Sequence, residues 1–594
     1  MPNALLVYPK FPPSYWSKKY ALEFIGKKSV MPPLGLLTLA ALFPSRYKLK
    51  LIDMNMSELT DELLEWSDFV FCSAMIVQRE SFRDVVRRCN QKGKKIVAGG
   101  PYPTSFHDDI EGVDNIVLGE VEEFFEEFLS DLEAGRAQRM YTRAPGGQEL
   151  PRPSIERVPP PRYDLIDLRK YASVSLQFSR GCPFNCEFCD ITKLYGRVPR
   201  TKTPRQVLSE LDVLYNCGWR GTVFFVDDNF IGNRRQVQAL MPELIRWQKE
   251  RKYPVSFYTE ASVNLAEMPD LMNQMAEAGF DMVFLGLETP NPKALKQANK
   301  GQNIKQGQAD YLLDAVRTIQ NHGLEVSAGF ILGLDGDDET AFDEQISFIQ
   351  RAGIPTAMVG LLNALKGTDL YQRFKTEGRL LEESLGNNMS ACLNFVPSIN
   401  RDVLLQGYRR VLSSIYDRSL RAYFARSYTL IKNWKQRAHC SRPIGLTELK
   451  ALFRSFTRQI FSRQGPAYLK FLGKVALRRP RMLAQAIRLA ILGYHYERVT
   501  RHQAVVDEFL AVLQSEKQQL LDRLEHYGRL GGEQLAEARR LLQQRLLAVQ
   551  ARYWRINRDF RSVVDEALNG FKETVQQRMD LLSQRPDFQP SEHT

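Results

Sequence analysis

The chain has 594 residues, 44% of them hydrophobic and 25% charged, a composition that suits three or four globular domains and excludes a single core. No run of about 18 uncharged apolar residues occurs, so no membrane-spanning helix is expected; residues 1–10 (MPNALLVYPK) read as a strand, not a signal peptide, and the expected location is the cytoplasm. The net charge of +12 is uneven, with −5 over residues 1–400, +17 over 401–500 (21 Lys/Arg against 4 Asp/Glu) and 0 over 501–594.

Over residues 1–143, short apolar runs at 4–8, 49–53, 69–73, 95–98 and 115–118 alternate with helical patterns such as 34–42 and 81–91. That alternation predicts a doubly wound, Rossmann-like parallel sheet of the α/β class, which binds ligands beyond the carboxyl ends of its strands. Residues 144–165 begin with a Pro-, Gly- and charge-rich stretch (APGGQELPRPSIERVPPPR) that excludes helix and central strand, so they form a linker. A second βα series over 166–385 has strands expected at 174–179, 222–226, 255–259, 282–287, 324–332 and 357–362. Six such strands predict a partial (β/α)6 barrel, whose chemistry belongs at the strand C-termini. Residues 386–500 read as a basic helical domain, and 501–594 as two long helices broken near Gly531-Gly532.

Eight cysteines are too few for a disulfide scaffold, yet Cys182, Cys186 and Cys189 fall within eight positions. The other five (Cys72, Cys89, Cys217, Cys392 and Cys440) are scattered and read as inert thiols. The segment Gly181-Cys182-Pro183-Phe184-Asn185-Cys186-Glu187-Phe188-Cys189 is a C-x3-C-x2-C motif. Three thiolates hold three irons of a [4Fe–4S] cube and leave the fourth open to a small chelator. The competing reading is a structural zinc site. Such sites use four Cys/His ligands, and the histidines closest in sequence are His107 and His322.

The motif and its strand series resemble the radical S-adenosylmethionine superfamily over about residues 170–385. The resemblance implies that S-adenosylmethionine chelates the open iron and is cleaved to a 5′-deoxyadenosyl radical, with an electron from a reductant of ferredoxin or flavodoxin type. It also implies that Phe188 packs near the adenine and that the Gly329–Gly333 strand (GFILG) lies beside it. Glu288 would hold the ribose hydroxyls. The Asp227-Asp228-Asn229 turn stands where the family's Gly-Gly-Glu motif receives the methionyl amine, although the residues differ. For Asp228 and Glu288 the competing reading is a loop salt bridge.

A doubly wound domain ahead of such a barrel is similar to the cobalamin-binding branch of that superfamily. Pro33, Leu34 and Gly35, Gly99 and Gly100, and Gly119 and Glu120 stand where the branch places corrinoid contacts. The loop Ser73-Ala74-Met75, continuing to Gln78, would face the cobalt. The Asp-x-His-x-x-Gly motif is missing and residues 1–100 contain no His, so no lower axial histidine comes from this region. The rival is a flavodoxin-like domain that holds a nucleotide or nothing.

The stretches CDITKLYGRVPRTKTP and VDDNFIGN, and a helical segment beginning at Asn394-Phe395-Val396-Pro397, resemble one subgroup, which includes the hopanoid C-2 methylases. The expectation is a cobalamin-dependent C-methyltransferase acting on an unactivated carbon, with a membrane lipid such as a hopanoid as substrate. A radical route is needed because no side-chain base deprotonates an alkane. The rivals are an oxidative cyclase on a tetrapyrrole and a non-enzymatic corrinoid-binding sensor. Residues 401–500 suit a peripheral site on the inner face of an anionic membrane as well as a solvated helix face, and no nucleic-acid module accompanies the charge.

Overall fold

Six parallel strands make the first sheet: β1 (Asn3–Tyr8), β2 (Lys48–Asp53), β3 (Phe69–Ser73), β4 (Lys95–Gly99), β5 (Asn115–Val117) and β6 (Met140–Tyr141), in the order β2-β1-β3-β4-β5-β6. Both faces are buried, which is why its strands read as continuous apolar runs. Leu5, Val7, Val70, Cys72, Ile96 and Ala98 face one helical layer. Ala4, Leu6, Phe71, Val97 and Val117 face the other. The order reverses between β1 and β3, which opens a crevice at their carboxyl ends. The two-residue β6 was not expected, since so short a strand has no periodicity to read. The computed structural model describes residues 1–142, 152–308, 310–384, 386–387, 389, 391–434, 446–527 and 532–583. Residues 144–151 of the expected linker therefore lie outside the described residues.

The second sheet is parallel throughout and follows chain order: β7 (Ser173–Leu176), β10 (Thr222–Phe225), β11 (Ser256–Ala261), β12 (Phe280–Glu288), β13 (Glu325–Leu332) and β14 (Ala357–Leu361). The first expected strand is split. Asp227 accepts the N–H groups of Phe178 and Ser179, so the chain leaves the sheet after Leu176. It then forms a small antiparallel pair, β8 (Ser179–Arg180) with β9 (Arg200–Thr201). Crossover helices cover the outer face. The first of them, Pro204–Asn216, starts with a capping box in which Thr203 and Gln206 satisfy each other's amides. An N-terminal segment closes the open side: Ser29 bridges Tyr171 in parallel, Ser173 N–H donates to Val30 O, and Tyr15 packs on Tyr416 and Tyr496.

Residues Met1–Glu497 form one compact unit and Arg498–Thr594 a second. Helices Arg401–Ile415, Arg421–Asn433, Leu446–Ile460, Gly465–Arg478 and Leu483–Tyr527 follow the barrel. The helical segment expected from Asn394 begins only at Arg401, because Phe395 instead bridges Leu380 and stacks on Phe374. Two long helices were expected after residue 501, but the described residues form three: one that starts at Leu483, then Gly532–Tyr553 and Asp565–Ser583. Of the expected break, Gly531 lies outside the described residues and Gly532 opens a helix. The extra break follows Tyr553, where Asn557 caps a short 3-10 turn by accepting from Asp559 N–H. Asparagine is a weaker sequence signal for a stop than glycine.

Candidate active site

The cysteine loop leaves the carboxyl end of β7 through Gly181, whose φ of +97° suits glycine, and where a Cβ would meet Gly196 O at 2.8 Å. Its backbone is tied on every side. Cys182 N–H donates to Gly196 O, Glu187 N–H to Ala298 O, and Asn299 Nδ2 to Asn185 O at 2.6 Å. The Glu187 carboxylate holds Arg373, which also reaches Asp335. The loop is therefore preorganised rather than draped on the surface.

None of the three cysteines is in a disulfide. Burial raises the pKa of both Cys182 and Cys189, and the nearby Cys186 adds to both shifts, so the three sulfurs share one neighbourhood. Burial pushes the Cys189 thiol up to about 12. Donors are aimed at the sulfurs: Gln302 Nε2 lies 3.4 Å from Cys186 Sγ, Asn229 Nδ2 lies 3.9 Å from Cys182 Sγ, and the N–H groups of Phe184 and Ile191 reach Cys182 and Cys189. Among the described residues no three His, Cys, Asp or Glu side chains converge on a single ion. A cube takes one thiolate per iron, so its ligands stand farther apart than those of one zinc. Donors directed at sulfur also suit a cluster, and the residues fit that group.

Lys300 was not anticipated. It pairs with Glu288 at 2.6 Å and lies 5.7 Å from the ring centre of Phe188. Burial alone would lower its pKa, but Glu288, Cys186 and Cys189 outweigh burial and hold it above the usual lysine range. It brings a cation to the place where Cys186, Cys189, Phe188 and Glu288 meet. Its only signal in the sequence is a charged residue just after a short helix. Glu288 ends β12 at φ +62°, beside a register shift in the β12–β13 ladder. Gly286 makes room for this pair, since a Cβ there would stand 2.5 Å from Glu288 Oε1 and 2.8 Å from Lys300 Nζ.

Across the sheet, the Asp227-Asp228-Asn229 turn divides its work. Both oxygens of Asp227 are taken by Phe178 N–H and by the N–H and hydroxyl of Ser179. Asp228 accepts from Gly181 N–H at 2.8 Å, and Asn229 exchanges hydrogen bonds with Ser262. Burial pushes Asp227 up to about 7, Asp228 to about 6 and Glu260, at the end of β11, to about 8. Three crowded acids with raised pKa values form a pocket that favours a cation. Gly329 faces Phe284, which a Cβ would meet at 3.3 Å, and Gly333 adopts φ +90° while its N–H donates to Asp337. Trp16, from the segment after β1, packs on Phe284 with centroids 5.0 Å apart, Ser327 hydroxyl donates to Met282 Sδ, and Phe224 stacks on Tyr258. These contacts put aromatic and thioether side chains on strands β10 to β12.

At the N-terminal sheet, Ser73, Ala74, Met75, Gly99, Gly100 and Gly119 all lie at or just past the carboxyl ends of β3, β4 and β5. Gly100 (φ +92°) packs so closely that a Cβ would stand 2.6 Å from Ser73 Oγ, while Gly35 and Gly119 have open space around them. Met75 is 46% exposed. Pro33 and Leu34 sit at the start of the helix Leu34–Leu42. The first histidine of the chain, His107, is engaged with Thr104 O and Asp108. An open glycine edge with an exposed methionine fits a corrinoid held without imidazole. Glu120 behaves differently: its buried carboxylate binds Arg180 at 2.7 Å and Arg200 at 2.8 Å, with Glu122 completing the network on Arg180. It clamps the N-terminal domain to the residue that precedes the cysteine loop. Cys72 and Cys89 are buried thiols pushed up by burial, Cys217 and Cys392 are exposed, and Cys440 lies outside the described residues.

A three-cysteine loop at the end of the first strand of a six-stranded parallel half-barrel defines a radical S-adenosylmethionine enzyme. Residues 176–349 match the Radical SAM superfamily, 27–129 the B12 binding domain, and 368–507 a domain of unknown function. An uncharacterized methyltransferase of Synechocystis is 42% identical, covering 76% of this chain and 81% of that protein. The hopanoid C-2 methylase of Rhodopseudomonas palustris is 34% identical over 74% of this chain and 81% of its own length. The structure of the cobalamin-dependent S-adenosylmethionine radical enzyme OxsB, at 14% identity, covers 98% of this chain and 84% of its own, with a TM-score of 0.54. The chain belongs to the cobalamin-binding radical S-adenosylmethionine enzymes, in the subgroup that includes the hopanoid C-2 methylases. It is a cobalamin-dependent radical S-adenosylmethionine methyltransferase, and its cofactors are a [4Fe–4S] cluster, S-adenosylmethionine and cobalamin. The sensor alternative falls, and the class requires an electron donor.

Proposed function

We propose that this enzyme methylates an unactivated carbon of a membrane lipid such as a hopanoid, and that Cys182, Cys186 and Cys189 ligate its cluster. The observation that carries the reading is a cysteine loop with sulfur-directed donors on a barrel sheet whose next strands carry Trp16-packed Phe284 and Met282. The relative named for hopanoid C-2 methylation supports the lipid. Aromatic and thioether side chains suit a substrate with few polar handles. When bound, the cofactors supply the radical and the methyl group.

This chain's residues bind and orient. Asp227 is a positioning residue that fixes the loop. Asp228, Asn229 and Glu260 receive the methionyl amine, accepting the N–H groups it has left when it chelates the iron. Phe188, Gly329 and Gly333 seat the adenine. Glu288 takes the ribose hydroxyls, with Lys300 as its partner and as a counter-charge to the thiolates. Pro33, Leu34, Gly35, Ser73, Ala74, Met75, Gly99, Gly100 and Gly119 would border the corrinoid, and Glu120 ties that edge of the sheet to the cysteine loop through Arg180. The functional limits are 1–143 for cobalamin, 166–385 for the radical barrel and 386–500 for lipid access. The electron comes from a ferredoxin or flavodoxin.

The test is anaerobic turnover with a hopene-type lipid and a strong reductant, followed by product analysis. Methylated lipid with both S-adenosylhomocysteine and 5′-deoxyadenosine is expected. 5′-Deoxyadenosine with a dehydrogenated or cyclised product and no S-adenosylhomocysteine would overturn methylation. Methylation of a tetrapyrrole with no lipid product would overturn the substrate.

A further inference from the structure

The helix Leu446–Ile460 is assembled inside out, and the helix Gly465–Arg478 beside it, though packed through an apolar face, leaves two leucines outside. In the first, the buried stripe is Ala451, Ser455 and Gln459, while Leu449 and Phe453 face solvent and Phe456, set edge-on to the Tyr468 ring, stays 38% exposed. Ordinary amphipathic packing reverses that arrangement. The polar stripe has an internal reason: Ser455 hydroxyl shares a hydrogen bond with Tyr468 at 2.9 Å and accepts from Gln459 Nε2. In the second helix Tyr468, Phe471, Leu472 and Val475 are buried, yet Leu469 and Leu477 point outward. Phe461, in the turn between the helices, is 89% exposed, Leu477 87% and Phe453 70%. Isolated exposed apolar residues need no explanation, but six large ones within residues 449–477 do.

The charge around them has one sign. Residues 446–482 contain nine Lys/Arg and one acid. Arg454 and Arg458 anchor the hairpin to the helix Lys19–Ile25 through Glu23 and Phe24, Arg479 donates to Trp434 O, and Lys474 lies on the Tyr428 ring. Among the described residues Lys450, Arg463, Lys470, Arg478 and Arg481 make no such contact and face solvent. At one end, Lys432, Arg478, Arg479 and Arg481 line a cleft of about 710 Å³ with Trp434 beside them. Leu477 directly precedes that cleft in the chain.

We propose that the hairpin 446–482 docks on an anionic phospholipid bilayer, with Phe453, Phe461 and Leu477 entering the acyl boundary and the cleft taking a headgroup phosphate. Exposed aromatic and aliphatic side chains interleaved with lysine and arginine are the chemistry of an interfacial helix. A folded acidic protein would match the charge, but it would not call for three protruding apolar side chains separated by basic ones. The proposal rests on the lipid-substrate reading for its purpose and not for its evidence.

The test is co-sedimentation of the full-length reconstituted protein with phosphatidylcholine vesicles, with and without phosphatidylglycerol. Binding is expected only with phosphatidylglycerol, and it should weaken as salt rises. The triple variant Phe453→Ser, Phe461→Ser, Leu477→Ser should bind at least ~tenfold more weakly, and so should Lys450→Gln, Lys470→Gln, Arg478→Gln, Arg481→Gln combined. These side chains are exposed, so iron and corrinoid content should not change. Wild-type protein that ignores phosphatidylglycerol at low salt overturns the proposal. So does a triple variant that binds like wild type, or one that instead loses self-association or capture of a flavodoxin. A second readout separates the two readings. With lipid in detergent the triple variant should turn over like wild type, and with lipid in vesicles it should not. Vesicle binding without lipid methylation in either form sinks the substrate reading and leaves the docking surface standing.

Discussion

Three sulfurs at the end of β7 depend on neighbours that hold the loop before any iron arrives. Replacing Cys182, Cys186 or Cys189 with Ala should abolish 5′-deoxyadenosine formation, against about four irons in the reconstituted wild type. Iron assay and chromatography check this together, and a triple variant that still cleaves S-adenosylmethionine would defeat the assignment. Glu260 gives a pH signature. Its pKa in the folded, cofactor-free chain is about 8, raised by burial and by Asp228 and Asp227 from an ordinary 4.5. Between those values the native state keeps a proton that the unfolded chain has released, so stability falls as pH rises. The slope contributed by one such group approaches about 1.4 kcal/mol per pH unit. Glu260→Gln should flatten it over that window in denaturant titrations of the cofactor-free protein. An unchanged slope would mean that Glu260 is already ionised. The motif was legible at this scale because three cysteines at fixed spacing are rare. Lys300 and Trp16 were not, because a lone lysine or tryptophan acquires meaning only from what surrounds it.

At the scale of elements, Glu120 shows how a strand-end residue can serve a different purpose from its neighbours. It follows Gly119 just past the carboxyl end of β5, yet its carboxylate is spent on Arg180 and Arg200. Removing one partner from a buried ion pair strands the others and costs about 3–5 kcal/mol. Glu120→Ala should therefore lower the melting temperature of the cofactor-free protein by several degrees and impair cluster assembly. A variant with unchanged melting would show the clamp to be dispensable. The strands were readable because burial on both faces imposes continuous apolar runs. The split of the first barrel strand was not, since a side chain 49 residues away, Asp227, decides it. The polar buried stripe of the helix Leu446–Ile460 was equally hidden, since the Tyr468 hydroxyl that Ser455 bonds comes from the next helix.

For the whole molecule, the N-terminal sheet and the half-barrel lie in one unit, with residues 15–30 running from the first into the open side of the second. Residues 1–100 lack histidine, and His107 is occupied locally. Electron paramagnetic resonance of the Co(II) form should thus show no nitrogen splitting from a protein imidazole, and its appearance would require a histidine delivered from elsewhere. The sequence by itself determined the two parallel sheets, the cluster motif and the placing of net charge, because periodicity, cysteine spacing and composition are local properties of a chain. Only the tertiary structure decided that Asp227 and Glu120 support the cluster loop, that Lys300 joins Glu288 to the thiols, and that a basic helix turns phenylalanine outward. Each of those depends on a partner far away in sequence. Which of two chemically adequate contacts a side chain makes is fixed by packing, not by its neighbours along the chain.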